Sequence, residues 1–291
     1  MRGILLAGGA GTRLDPITRV ASKQLQPVYD KPMVYYPLAT LVGAGISEVL
    51  LVSTPGDLPR FADLIGDGRQ WGISVSYAEQ PGPGGIAQAL LIGAAFIGDQ
   101  PVALILGDNI FHGEMGLDHH VATFDGGATI FSNPVANPRR YGVVEYDDAG
   151  NVVSIEEKPE RPRSRHAVTG LYLYDSTAVA KAQSLAPSAR GELEISDLNR
   201  LYLREGSLRA VRLGRGIAWL DSGTVDSLLE AANYIATVER RQGVKVACIE
   251  EIAFRRGLLS LEQLRDLVVA MPDSHYRQYL DEVVSEEVGE G

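Results

Sequence analysis

Residues 4–27 read ILLAGGAGTRLDPITRVASKQLQP, and the reading of this stretch decides the fold. Arg2 to Ala7 is a short apolar run, long enough for one buried strand. It breaks into Gly8, Gly9, Ala10 and Gly11, where glycine permits positive φ and lets backbone N–H groups approach a ligand. Thr12 and Arg13 follow at once, and Lys23 comes ten residues after Arg13. A buried strand, a glycine loop and two cations suggest a cradle for a polyanion, most simply a nucleoside triphosphate. Two familiar phosphate loops are excluded. Walker A ends in Gly-Lys-Ser/Thr, whereas Gly8-Gly9 runs into Ala10-Gly11-Thr12, and the dinucleotide fingerprint needs a third glycine where Leu14 stands. The plain alternative is a tight turn carrying a surface arginine.

Composition bounds the rest. With 291 residues the chain can bury a substantial core, as one large α/β domain or two smaller ones. Its 45% apolar content is that of an ordinary globular protein. The net charge of −10 argues against a nucleic-acid partner, so any phosphate site must draw on local cations. The single cysteine, Cys248, excludes an intrachain disulfide and a cysteine metal cluster. No basic segment followed by an apolar signal core opens the chain, and no apolar run is long enough to span a bilayer. A cytoplasmic protein with no membrane partner is expected.

Apolar runs alternate with helical patterns through the first half. Glu48 to Ser53, Ile73 to Glu79 and Pro101 to Leu106 read as strands; Pro32 to Ala44, Asp57 to Ile65 and Ile86 to Phe96 read as helices. Strands separated by single helices imply parallel pairing, hence a doubly wound, mostly parallel Rossmann-like α/β sheet flanked by helices. In such a sheet ligands sit beyond the carboxyl ends of the strands, where the glycine loop and Gly107-Asp108-Asn109 both lie. From Gly126 the texture becomes strand and turn (ATIFSNPV, YGVVEYDDAGNVVSIEEKP, AVTGLYLYD), predicting a smaller antiparallel extension over the open side of the site. Leu193 to Arg204 resumes a helix, Leu208 to Leu213 a strand, and Thr224 to Arg241 is the clearest helix of the chain. Residues 244–284 read as helical with a break at Met271-Pro272, and the acidic Ser285 to Gly291 as disordered. The expected organisation is an α/β domain over 1–242, with a nucleotide half to about 125 and a second half from 126, and a helical segment 243–291 packed on it.

Two strand-end carboxylates stand out. Asp108 ends LILGD and Asp221 ends IAWLD, and two such groups could hold one divalent cation against substrate phosphates. Both have a rival reading as turn or helix caps, although Ser222 or Thr224 could cap the following helix without Asp221. Gln80, in EQPGPGG (79–85), offers an amide suited to a pyrimidine edge. Glu156-Glu157-Lys158 is by itself a solvated charge run. The five histidines show no zinc spacing, and no GxSxG nucleophile motif is present.

The string LLAGGAGTRLDPIT with SKQLQP downstream resembles the signature of the sugar-1-phosphate nucleotidyltransferases. SKQLQPVYDKPMVYYPL is most similar to the branch that joins dTTP to glucose 1-phosphate, releasing pyrophosphate and opening dTDP-rhamnose and other deoxysugar synthesis. The resemblance implies nucleotide contacts from Leu6, Gly8, Gly9, Gly11, Thr12, Arg13, Gln80, Pro83, Gly85 and Asp108, with Gln80 and Gly85 on the thymine. It implies sugar-phosphate contacts from Tyr141, Gly142, Glu157, Lys158, Val168, Arg190 and Trp219. Asp108 and Asp221 would be the Mg²⁺ ligands, and Arg13, Lys23, Asp108, Lys158 and Asp221 the catalytic set. A homotetramer, a dimer of dimers with a feedback site for dTDP-sugars, is also implied. Two departures bear on selectivity and feedback: Gly84 stands where the branch usually has Asp, and HGEMGLDHH after Phe111 differs from its usual sequence. Beside this reading stand a UTP-using or other sugar-1-phosphate nucleotidyltransferase, a non-catalytic nucleotide-sugar sensor, and, opposed by the missing glycine, a dinucleotide dehydrogenase.

Overall fold

The computed structural model describes residues 1–9 and 11–289. Four parallel strands form its centre. These are β1 (Arg2–Leu6), β4 (Glu48–Ser53), β5 (Ser74–Glu79) and β6 (Val102–Leu106), in the order β5-β4-β1-β6. Between β1 and β4 the chain makes a two-stranded hairpin, β2 (Pro27–Val28) with β3 (Lys31–Pro32), and the helix α1 (Tyr35–Gly43). Helices α2 (Leu58–Ile65), α3 (Gln88–Ile92) and α4 (Ala94–Ile97) make the remaining crossovers.

Side chains of the central strands alternate between two cores, as a sheet covered on both faces requires. Leu5, Val49, Leu51, Ala103 and Ile105 face α1 and α2; Ile4, Leu50, Val52, Val102 and Leu104 face α3. The predicted helix Ile86 to Phe96 is thus two short helices separated at Gly93. A Cβ there would stand 2.7 Å from Ile4 Cδ1, so the glycine lets the helix backbone close onto β1.

The expected antiparallel extension is the second half of the same sheet. After β7 (Asn109–His112) and α5 (Leu117–Ala122) come β8 (Ala128–Pro134), β9 (Gly142–Tyr146), β10 (Val152–Glu157) and β11 (His166–Tyr174). Strand β11 is antiparallel to β6 through Leu171 to Tyr174, runs beside β8 along its length, and reaches β9 at Ala167. Helices α6 (Ala178–Gln183) and α7 (Ile195–Arg204) cover it, and β12 (Leu208–Arg212) adds parallel to β8. Strand β13 (Ala218–Asp221) returns to pair with β7, and the long α8 (Val225–Gln242) follows.

Three helices end the described chain: α9 (Ile249–Arg255), α10 (Leu261–Ala270) and α11 (His275–Gly289). The expected disorder from Ser285 is not found, for α11 continues to Gly289; residues 290 and 291 lie outside the described part. The tail is acidic, but Tyr276, Leu280, Val283 and Val284 recur at helical spacing and pack on Cys248, Leu264 and Val268. That stripe holds the helix. Among the described residues no helix is long and apolar enough to cross a membrane.

Candidate active site

The chain leaves β1, builds outward to β5, then returns to β6 on the opposite side of β1, so the sheet's crevice opens at the carboxyl ends of β1 and β6. A cleft of about 670 Å³ lies there, a size suited to a small-molecule substrate. Of the sequence-derived residues, Leu6, Gly8, Gly9, Thr12, Arg13, Gln80, Pro83, Gly85, Asp108, Tyr141, Gly142, Glu157, Lys158, Val168, Arg190, Trp219 and Asp221 line it. Gly11 does not. It turns the loop in the left-handed region at φ 59°, and a Cβ would meet Thr18 Cγ2 at 2.8 Å. Thr18 Oγ1 donates to Gly11 O at 3.0 Å, and Leu14 is buried, so the loop is pinned while Arg13 stays exposed at the cleft.

Lys23 does not line the cleft either; its ammonium is paired with Asp108 Oδ2. Burial alone would raise the Asp108 carboxyl, but that ammonium and a hydrogen bond from Asn109 Nδ2 at 3.0 Å outweigh it and hold it below the usual range. Asp221 arrives from far along the chain because β13 pairs with β7, setting Asp221 opposite Asn109. Ser222 N donates to Asp108 O at 3.1 Å, which locks the two strand ends together. Burial and the charge of Asp108 raise the Asp221 carboxyl, opposed only in part by Lys23, Arg140 and Arg13. The helix that follows is capped by Thr224, whose hydroxyl accepts from Ser227 N at 3.2 Å, so Asp221 is free of that duty.

Two mutually repelling carboxylates, with an ammonium drawn against one of them, form an oxygen donor set that fits a hard divalent cation. Among the described residues no cluster of three or more His, Cys, Asp or Glu side chains could hold a metal, so its other ligands would be phosphate and water.

Several partners were not legible in the sequence. Asn109, buried, accepts from Trp219 Nε1 at 2.6 Å and Gly170 N at 2.9 Å while donating to Asp108. Trp219 is therefore held by a hydrogen bond as well as by packing, and its ring lies 5.1 Å from that of Tyr141. Arg140 approaches Asp221 at 3.9 Å. Ser196 Oγ donates to Glu157 Oε2 at 2.6 Å, and Lys158, in the left-handed region at φ 45°, points its ammonium to within 3.4 Å of Glu157. Arg190 pairs with Glu194 at 2.8 Å at the cleft wall. Only the GDN triplet could have signalled Asn109; the others carry no local signature.

The glycine loop, Arg13 and the carboxylates of Asp108 and Asp221 line one cleft, with Lys23 paired to Asp108, an arrangement whose charges suit a phosphate-bearing substrate and a cation. The chain belongs to the nucleotidyl transferase family, whose model matches residues 2–238. Glucose-1-phosphate thymidylyltransferase of Neisseria meningitidis is 56% identical over 282 residues, covering 96% of this chain and 98% of its own. The enzyme of that name from Mycolicibacterium smegmatis is 53% identical over 289 residues, 99% of this chain and all of its own. Among solved structures, a Bacillus anthracis protein assigned as a glucose-1-phosphate thymidylyltransferase superimposes with TM-score 0.76 at 39% identity, covering 80% of this chain and 94% of its own. A UDP-glucose pyrophosphorylase, TM-score 0.72 at 23% identity, shares the fold, with 81% of this chain and 98% of its own covered.

Proposed function

We propose that this protein is a glucose-1-phosphate thymidylyltransferase, converting dTTP and α-D-glucose 1-phosphate into dTDP-glucose and pyrophosphate. An oxygen of the sugar phosphate attacks the α-phosphorus of dTTP in line. A new P–O bond forms as the bond to the bridging oxygen breaks, and pyrophosphate leaves without a covalent enzyme intermediate. The protein's part is positioning and charge neutralisation. The loop from Gly8 to Thr12 cradles the triphosphate, Arg13 and Lys23 balance its charge and that of the departing pyrophosphate, and Lys158 with Arg190 holds the attacking phosphate. Glu157, Tyr141, Gly142, Val168 and Trp219 shape the sugar pocket, while Gln80, Pro83 and Gly85 take the base. Asp108 and Asp221 would hold Mg²⁺, whose chemistry is to neutralise phosphate charge.

The observation that carries this reading is the meeting of Asp221 with Asp108, itself paired with Lys23, in one cleft lined by the glycine loop and the Glu157-Lys158 turn. In the same reading residues 1–242 do the chemistry with 243–291 packed on them, the chain works in the cytoplasm as a tetramer, and its product feeds deoxysugar synthesis such as that of dTDP-L-rhamnose. Pyrophosphate release with glucose 1-phosphate and Mg²⁺ is the test, run in parallel with dTTP, UTP, CTP, GTP and ATP. Turnover fastest with dTTP and lost in Asp221→Asn supports the assignment. A preference for UTP moves the protein to the uridylyl class, and tight dTTP binding without turnover makes it a sensor.

A further inference from the structure

Gln80 is buried and lines the cleft, and the polarity of its side-chain amide is set by its neighbours. Its Nε2 donates to Gly85 O at 3.2 Å and to Gln88 Oε1 at 2.9 Å. A peptide carbonyl only accepts, so the Gln80 atom facing Gly85 must be the amide nitrogen. Both hydrogens of that nitrogen are then used, and the Gln88 atom facing it must be oxygen. Gln80 Oε1 remains as an acceptor above the glycine loop, where a Cβ at Gly8 would stand 2.5 Å from it.

Gln88 reaches this place across Gly84. A Cβ at residue 84 would fall 2.2 Å from Gln88 Oε1 and Cδ, so a side chain at 84 and the present position of Gln88 exclude one another. The departure at Gly84 thus has a structural counterpart: the space it leaves admits Gln88. Gly85 cannot adjust in compensation, since its φ is 90° and a Cβ there would be 2.4 Å from Leu193 O.

We infer that Gln88 is a positioning residue for base selection, holding Gln80 so that it presents an acceptor and favours pyrimidines with a protonated N3 (thymine, uracil) over cytosine, whose N3 is itself an acceptor. The inference rests on the nucleotidyl-transfer reading and adds the origin of its base preference. A lost or reversed hydrogen bond in such a site shifts selectivity, because a buried polar group is left unpaired with the favoured base.

The experiment compares dTTP with dCTP in wild type, Gln88→Leu, Gln88→Glu and Gly84→Ala, with circular dichroism on each. Gln88→Leu removes the shorter of the two hydrogen bonds and leaves Gln80 held by Gly85 O alone, with more freedom to turn; the ratio of kcat/KM for dTTP over dCTP should fall about tenfold, through KM more than kcat. Gln88→Glu keeps an acceptor and should hold the ratio within about twofold of wild type. Gly84→Ala displaces Gln88 without altering it and should reproduce the leucine variant, which keeps the test open if Gln88→Leu does not fold. Equal losses for both nucleotides, or a leucine variant with wild-type selectivity, would overturn the inference. Calorimetric binding of dTTP and dCTP without sugar phosphate reads the same ratio, so absent wild-type turnover sinks the reading of the reaction and leaves the role of Gln88 separately decided.

Discussion

Arg13 and Asp221 have opposite relations to the fold. Arg13 is exposed on a loop held by Leu14 and Thr18, and its charge partly offsets that of the Asp221 carboxylate. Arg13→Ala should lower kcat by about 10²–10³ with an unchanged circular dichroism spectrum and only a small fall in melting temperature, as expected for a group that stabilises transition-state charge. Asp221 is a stability cost. Burial and Asp108 raise its carboxyl in the folded state, so the folded chain binds that proton more tightly than the unfolded chain. Any stability it contributes is present at low pH, below the unfolded value, and is lost as pH rises through the folded one. At neutral pH without metal, Asp221→Asn should therefore melt higher than wild type by about 2 °C or more, an advantage that shrinks under acid. A lower melting point for the variant at pH 7 would refute the repulsion. Asn109→Ala should weaken both the site and the fold, because it strands Trp219 Nε1 and Gly170 N.

At the scale of elements, the N-terminus of α8 and its C-terminus do separate jobs. The Thr224–Ser227 capping box starts the helix immediately after Asp221; Thr224→Ala should cost about 1 kcal/mol in denaturant unfolding. The other end of α8 carries an ion network. Glu239, buried, accepts from Lys31 at 3.3 Å, Lys245 at 2.8 Å and Val246 N at 3.0 Å, while Asp30 meets Lys31 at 2.6 Å and Lys245 at 2.7 Å. These groups join the β2–β3 hairpin to α8 and to the segment leading into α9. Glu239→Ala leaves a buried ammonium with one partner fewer and should cost about 3 kcal/mol or more, measured by urea unfolding. Glu239→Gln, which keeps the hydrogen-bonding shape, should recover part of that loss. The charged DK at 30–31 is unremarkable in the sequence because its partners lie more than two hundred residues away.

Across the whole molecule, the last helices complete the core. Ile249, Ala253 and Leu259 lie in the same buried cluster as Leu41 and Phe61, and Trp71 Nε1 donates to the buried Glu250 at 3.1 Å. Cys248 sits beneath α10 and α11, and burial pushes its thiol well above its ordinary value. The thiol should be inert to Ellman's reagent in the native chain. Truncation after Pro272 removes Leu280 and Val283 from above it and should make labelling fast, with a stability loss of at least about 4 kcal/mol. Equal labelling rates in the two forms would show that α11 does not seal this core.

The amino-acid sequence alone determined what is local: the β1 strand and its glycine loop, the strand–helix alternation of a doubly wound sheet, Arg13, Asp108 and the strand-end position of Asp221. Each rests on neighbours within a few residues, and backbone preference and hydrophobic period are expressed at that range. The tertiary structure alone decided which of these groups meet. The β7–β13 pairing brings residues 109 and 221 face to face, Ser196 reaches Glu157 from another helix, and Gln88 turns over Gly84 to grip Gln80. The end of the tail was decided in the same way. Its acidic composition favours disorder, yet α11 is held by apolar residues whose partners are supplied by α10 and Cys248. Burial and long-range pairing are properties of the assembled sheet and its cover, and no stretch of chain carries them before that assembly forms.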